Sequence, residues 1–170
     1  MDIKSDFMEA RVAVLSILMS QGKLDDASKE IDAAKKQAPN SPSVRYFESQ
    51  LAYQKKDFKK AKELVQQLLK VAPDSPQALM LAGAIELQVG TTLQAETYLS
   101  KVLVASPQTS LARRLLVTAY LRSGQLDKAV ATLQPLLKEA DSNPAIGALA
   151  GETFLQSGDV KKAEEYFAKA

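Results

Sequence analysis

The 170-residue chain is 46% hydrophobic but only 6% aromatic, carries 22 basic against 20 acidic residues, and contains neither cysteine nor histidine. That charge balance gives no general attraction to nucleic acid or to an anionic membrane. The missing residue types exclude disulfides, thiolate chemistry and the commonest general-base and metal-binding side chain.

From the N-terminus, the first apolar stretch is "RVAVLSILMS", Arg11–Ser20. Asp2, Asp6 and Glu9 precede it, where a secretory signal carries positive charge, so it reads as the first helix of the fold. Gln21-Gly22 interrupts the pattern, Ala27 and Ile31 follow four residues apart, and Pro39 ends the segment. The chain then repeats itself. Ala27, Ala61, Ala95, Ala129 and Ala163 are each 34 residues apart, with no insertion. Four residues after each Ala stands a large apolar residue: Ile31, Val65, Leu99, Leu133, Phe167. Gly22, Gly90, Gly124 and Gly158 share a column in which Lys56 is the exception. Pro39, Pro73 and Pro107 share another, with Asp141 in the fourth place.

Each column has a physical role. Ser41, Ser75, Thr109 and Asn143 are good N-caps, and Pro42, Pro76 and Pro144 follow three of them at the first helical position. A helix therefore starts at each, runs about fourteen residues and ends at the Gly column, where φ > 0 is easiest. A second helix follows and ends at the Pro column. Thr91 with Gln94 has the spacing of a capping box for one such second helix. Gly83 and Gly151 share a column expected to face the Ala column, where two helices approach closely. Pro135 falls inside a second helix and is expected to break it near Ala131. The prediction is ten helices and no strand.

This pattern resembles the tetratricopeptide repeat, TPR. The resemblance spans residues 8–170: units 8–41, 42–75, 76–109 and 110–143, and a fifth, 144–170, that is cut short. It implies one all-α domain over 1–170, an α-solenoid in which antiparallel helix pairs wind into a right-handed superhelix. The departure is a missing Trp, replaced by Arg11, Arg45, Leu79, Arg113 and Gly147. First helices should line a concave wall. Residues four apart on them share that face, which gives a candidate partner site of Tyr46, Gln50, Tyr53, Gln54, Met80, Ala84, Leu87, Arg114, Thr118, Arg122, Glu152 and Gln156. Val12 and Ser16 stand where the carboxylate clamp of chaperone-binding TPRs needs Lys and Asn, so that ligand is not expected.

The segments "LAGA", "LARRLL", "LQPLL" and "GDVKKAEEYFAKA" are also similar to the TPR lipoproteins of the bacterial exosortase (PEP-CTERM) system. That resemblance implies a scaffold exported to the periplasm or anchored at the outer membrane, associated with exopolysaccharide production, and present here as a fragment.

No nucleophile–base constellation can be named, so neither catalytic residue, metal nor cofactor is expected. The expected partner is a protein or peptide in the groove, with no nucleic acid and no membrane span. The alternative is an anionic polysaccharide or other polymer held by Arg113, Arg114, Arg122 and the Lys-rich turn Tyr53–Glu63. An apolar strip around Leu149, Leu155, Val160 and Phe167 is expected to face solvent at the C-terminal end, where it offers a route to self-association.

Overall fold

The computed structural model describes residues 3–170, with side chains from Met8 onward. Ten α-helices account for most of them: α1 (Ile3–Ser20), α2 (Leu24–Gln37), α3 (Pro42–Gln54), α4 (Phe58–Val71), α5 (Pro76–Val89), α6 (Thr92–Ala105), α7 (Ser110–Arg122), α8 (Leu126–Leu133), α9 (Pro144–Gln156) and α10 (Val160–Phe167). No strand occurs among the described residues. The helices fall into two compact units, 1–85 and 86–170, whose boundary lies inside α5.

Each odd-numbered helix ends in the same reversal. Gly22, Gly90, Gly124 and Gly158 have φ between 67° and 89°, and Lys56 adopts φ 62° in the fifth instance. The next amide then reaches back to the helix, Lys23 N–H to Leu18 at 3.0 Å and Asp57, Thr91, Gln125 and Asp159 to Ala52, Glu86, Tyr120 and Phe154 at 2.9 Å. This six-to-one bond satisfies an orphan carbonyl and starts the second helix antiparallel to the first. Lys56 adopts the same conformation without the freedom of glycine, at a steric cost.

The second helices end as their prolines require. Ala38, Ala72 and Ser106 precede Pro39, Pro73 and Pro107 and sit at φ −140°, −139° and −142°, the extended region that a following proline imposes. The fourth unit has Asp141 at that place, and its second helix ends differently. Pro135 has no N–H to give the Ala131 carbonyl, α8 stops at Leu133, and a 3₁₀ segment, Gln134–Glu139, finishes the unit.

Capping departs from the sequence reading in several places. Ser41 Oγ accepts from Val44 N–H at 3.5 Å and Ser75 Oγ from Ala78 N–H at 3.4 Å. Thr109 and Asn143 make no side-chain cap. At Asn143 the backbone carbonyl accepts from both Ile146 and Gly147, and Pro144 has no N–H to satisfy. The expected capping box at Thr91 does not form: its hydroxyl turns back to the carbonyl and carboxylate of buried Glu86. Two caps that the column analysis did not single out are Asp57, accepting from Lys60 N–H, and Asp159, accepting from Lys162 N–H, both at 3.1 Å. Bonds from Lys162, first its side chain and then its backbone, hold the Asp159 carboxyl below its ordinary pKa.

The Ala column is the core of every pair. Ala27, Ala61, Ala95 and Ala129 are fully buried and Ala163 nearly so. Ser49 shows how close the helices come, because its buried hydroxyl donates to the Ala61 carbonyl at 2.9 Å. At Gly151, in the same column as Ser49, the nearest neighbour is an aromatic ring. A Cβ there would lie 2.5 Å from the Phe167 ring, so the glycine makes room for that ring. Phe167 is nonetheless 45% exposed, and Leu155 and Val160 are exposed beside it, while Leu149 is half-buried.

The column that lacks Trp is filled by local solutions. Arg11 pairs with Glu30, Leu79 is buried, Arg113 donates to the Pro107 carbonyl at 2.6 Å, and Gly147 lets the backbone of Lys169 approach.

Opposite effects are expected at two adjacent residues. Lys56→Gly relieves the left-handed strain and should stabilise by about 0.5–1 kcal/mol, net of the glycine entropy. Asp57→Ala removes a cap and should cost about 0.5–2 kcal/mol. Thermal melts of the two variants check the sign of each. Ala95→Leu should cost about 1–3 kcal/mol through overpacking, whereas Lys59→Leu on the exposed start of α4 should change stability by no more than about 0.5 kcal/mol. Equal melting points for this second pair would show that the buried column is misassigned.

Candidate functional site

Two cavities that offer a candidate site lie in the first unit, where α1 and α3 run side by side. One of about 430 Å³ is lined by Val12 and Ser16 of α1, by Pro42, Ser43, Tyr46 and Phe47 of α3, and by Leu68, Ala72, Ser75 and Gln77. A second, of about 230 Å³, shares Ser16, Tyr46 and Phe47 and adds Met19, Ser20, Gln50 and Gln54. The shared residues make the two cavities neighbours along one face. None of the residues lining either cavity is charged.

The floor is fixed by core packing. Phe47 belongs to the buried cluster with Leu15, Met19, Ala27 and Ile31, and Val12 and Tyr46 pack against it. Tyr46 meets Phe47 edge to face, with ring centroids 5.3 Å apart. Burial pushes the Tyr46 phenol above its ordinary pKa. Gln50 presents the least satisfied group on this face. Its buried Oε1 accepts no hydrogen bond from any described residue. A buried amide oxygen left so costs about 1–3 kcal/mol, a cost removed by any ligand that brings a donor.

The expected site residues separate into distinct environments. Tyr46, Gln50 and Gln54 come together on the cavity walls. Tyr53 instead lies against Phe58 across the turn, at a centroid distance of 5.7 Å, and lines neither cavity. Met80 and Ala84 are half-buried on α5, and Leu87 is buried at 3% exposure, its side chain part of the core.

In the second unit the polar candidates are largely engaged with their own fold. Arg122 donates to the Leu87 carbonyl at 2.6 Å, Thr118 to the Arg114 carbonyl at 3.1 Å, and Gln156 to Glu152 at 3.1 Å. The cationic candidates are similarly employed: Arg113 holds Pro107, and in the Lys-rich turn Lys55 pairs with Asp25 at 3.5 Å.

Sequence reasoning named Val12 and Ser16 only as absent clamp residues, yet both line the cavity. Ser20, Ser43 and Gln77 were not singled out. Each lies on a first helix, Ser20 on α1, Ser43 on α3 and Gln77 on α5, and polar residues on first helices were the available signal.

No helix among the described residues is long and apolar enough to cross a membrane. Solved structures share the fold. The chain superposes on the structure titled functional characterization of Pseudomonas aeruginosa pilF with a TM-score of 0.84 at 14% identity, covering 99% of this chain and 78% of that one. On MamA, residue 41 to the end, from Desulfovibrio magneticus RS-1, the values are 0.81 and 22%, covering 99% and 94%. On TTC0263, a thermophilic TPR protein of Thermus thermophilus, they are 0.77 and 20%, covering 96% and 89%. A search of curated proteins matched none. The family profile described as tetratricopeptide repeat matches residues 18–85 and again 86–152. With ten helices among its described residues in the repeated TPR pattern and that profile covering most of its length, the chain belongs to the tetratricopeptide repeat family, an all-α solenoid fold.

Proposed function

We propose that this chain is a non-catalytic scaffold that holds an uncharged polar peptide segment of a partner protein on the α1–α3 face. The fold is that of protein-interaction scaffolds. The observation that carries the finer reading is the lining of that face: hydroxyls, amides and one tyrosine over an apolar floor, with no charge and one buried acceptor lacking a donor. Such a surface favours main-chain and amide donors and gives a carboxylate no counter-ion. Val12 and Ser16 at the clamp positions support the same reading. Arg114, Thr118, Arg122, Glu152 and Gln156 form a separate proposed contact on the second unit's first helices. The setting we propose, on resemblance alone, is a periplasmic or outer-membrane-anchored assembly of exosortase-associated exopolysaccharide machinery.

The test uses a random peptide display library selected on the immobilised chain. Enriched peptides should be neutral, should bind almost independently of salt, and should lose binding on Ser16→Arg, which places a bulky cation in both cavities. Gln50→Leu should raise the melting temperature, because the orphan acceptor is gone. The same change should weaken the selected peptides by about 2–10-fold, the worth of one hydrogen bond. Enrichment of acidic peptides, with affinity falling steeply as salt rises, would favour the polymer-binding alternative and contradict this reading.

A further inference from the structure

The outward face of α6 differs from that of every other second helix. Leu93 is 74% exposed and Val104 is 84% exposed. In the other repeats the place of Leu93 holds Asp25, Lys59, Asp127 and Lys161, and the place of Val104 holds Lys36, Lys70 and Lys138. Every one of these equivalents is charged. The periodic fold therefore sets no requirement for an apolar residue at either position.

We infer that the outer face of α6 is a self-association surface, on which α6 of a second copy packs in parallel about a two-fold axis. The spacing and the flanking charges commit it to that occupant. Leu93, Thr97, Ser100 and Val104 follow one another at four, three and four residues, the d-a-d-a stripe of a helix–helix seam. Glu96 then falls at a g position and Lys101 at the following e position. In a parallel pair, g of one helix lies beside the next e of the other. Glu96 thus meets Lys101 of the second copy, and symmetry supplies the same pair again. In an antiparallel pair, g meets g and e meets e, which would set two carboxylates together and two ammonium groups together.

The groups are placed for this role. Lys101 is exposed and makes no ion pair with any described residue. Glu96 is held at its flank by Gln125 at 3.1 Å and Lys128 at 3.5 Å, with 20% of its side chain exposed, and both Glu96 and the half-buried Ser100 also bond the Tyr120 hydroxyl. Exposed pairs of this kind contribute little affinity, so they set orientation while Leu93 and Val104 supply the attraction. The strip is small beside the ~1,200–2,000 Å² that stable complexes bury. The association is accordingly reversible and concentration-dependent.

The chain has no native cysteine, which makes a cross-linking test clean. The wild-type sedimentation coefficient should rise from the monomer value toward the dimer value with concentration. Leu93→Asp should abolish that rise while leaving helical circular dichroism and melting unchanged, since repeats one and four already carry Asp there. Lys101→Glu should diminish it, most of all at low salt. Leu155→Asp, on the exposed C-terminal strip, should leave it intact. Under mild oxidation Thr97→Cys should form a disulfide dimer far faster than Leu155→Cys, because a parallel seam sets its a positions opposite one another. A wild-type chain that stays monomeric throughout overturns the inference. So does a Leu93→Asp variant that still associates, or a Thr97→Cys variant that cross-links no faster than Leu155→Cys.

Discussion

Each helix pair depends on one residue in the left-handed region, at position 22, 56, 90, 124 or 158. That residue turns the chain through the six-to-one bond and sends the second helix back along the first. The close approach then requires a side chain no larger than a methyl group, and Ala occupies that place five times. Once the pair is closed, the large apolar residue four places on is directed inward, as Ile31, Val65, Leu99 and Leu133 show. A helix pair of this size buries too little to be stable alone, so the repeat is both the unit of structure and the reason for having several units.

Much of this is legible in the sequence because backbone constraints leave residue-type signatures. Gly marks φ > 0, Pro marks an extended predecessor, and a fixed period removes ambiguity about register. Pro135 is legible for the same reason: a missing N–H cannot be compensated within an α-helix. Legibility fails where side chains choose among partners. Thr91 has the spacing for a cap, but a buried carboxylate nearby offers a stronger acceptor for its hydroxyl. Lys56 carries no signature of a left-handed conformation, and only the period locates it. Gly151 reads as a place where two helices approach closely, but that the ring of Phe167 also occupies the space a Cβ would fill is not visible in the spacing.

The candidate site was legible in part. Helical spacing places Tyr46, Gln50 and Gln54 on one face, and all three line the same cavity. Spacing does not reveal that Tyr53 turns to Phe58 or that Leu87 goes inside, because both depend on the neighbouring helix. Nor does a count of basic residues show that Arg113 and Arg122 hold backbone carbonyls of their own chain. The first unit thus presents a neutral groove, while much of the second unit's polar inventory is spent on its own fold. The outer face of α6 became conspicuous only when each exposed position was compared with its equivalents in the other repeats.

The account stands on five equivalent reversals, including the one that lacks glycine. Amide hydrogen exchange, read residue by residue by NMR, tests this most directly. The amides of Lys23, Asp57, Thr91, Gln125 and Asp159 should all be strongly protected, although each lies just beyond the end of a helix. Fast exchange at Asp57 beside slow exchange at the other four would contradict the equivalence. Fast exchange at all five would contradict the fold's common closure.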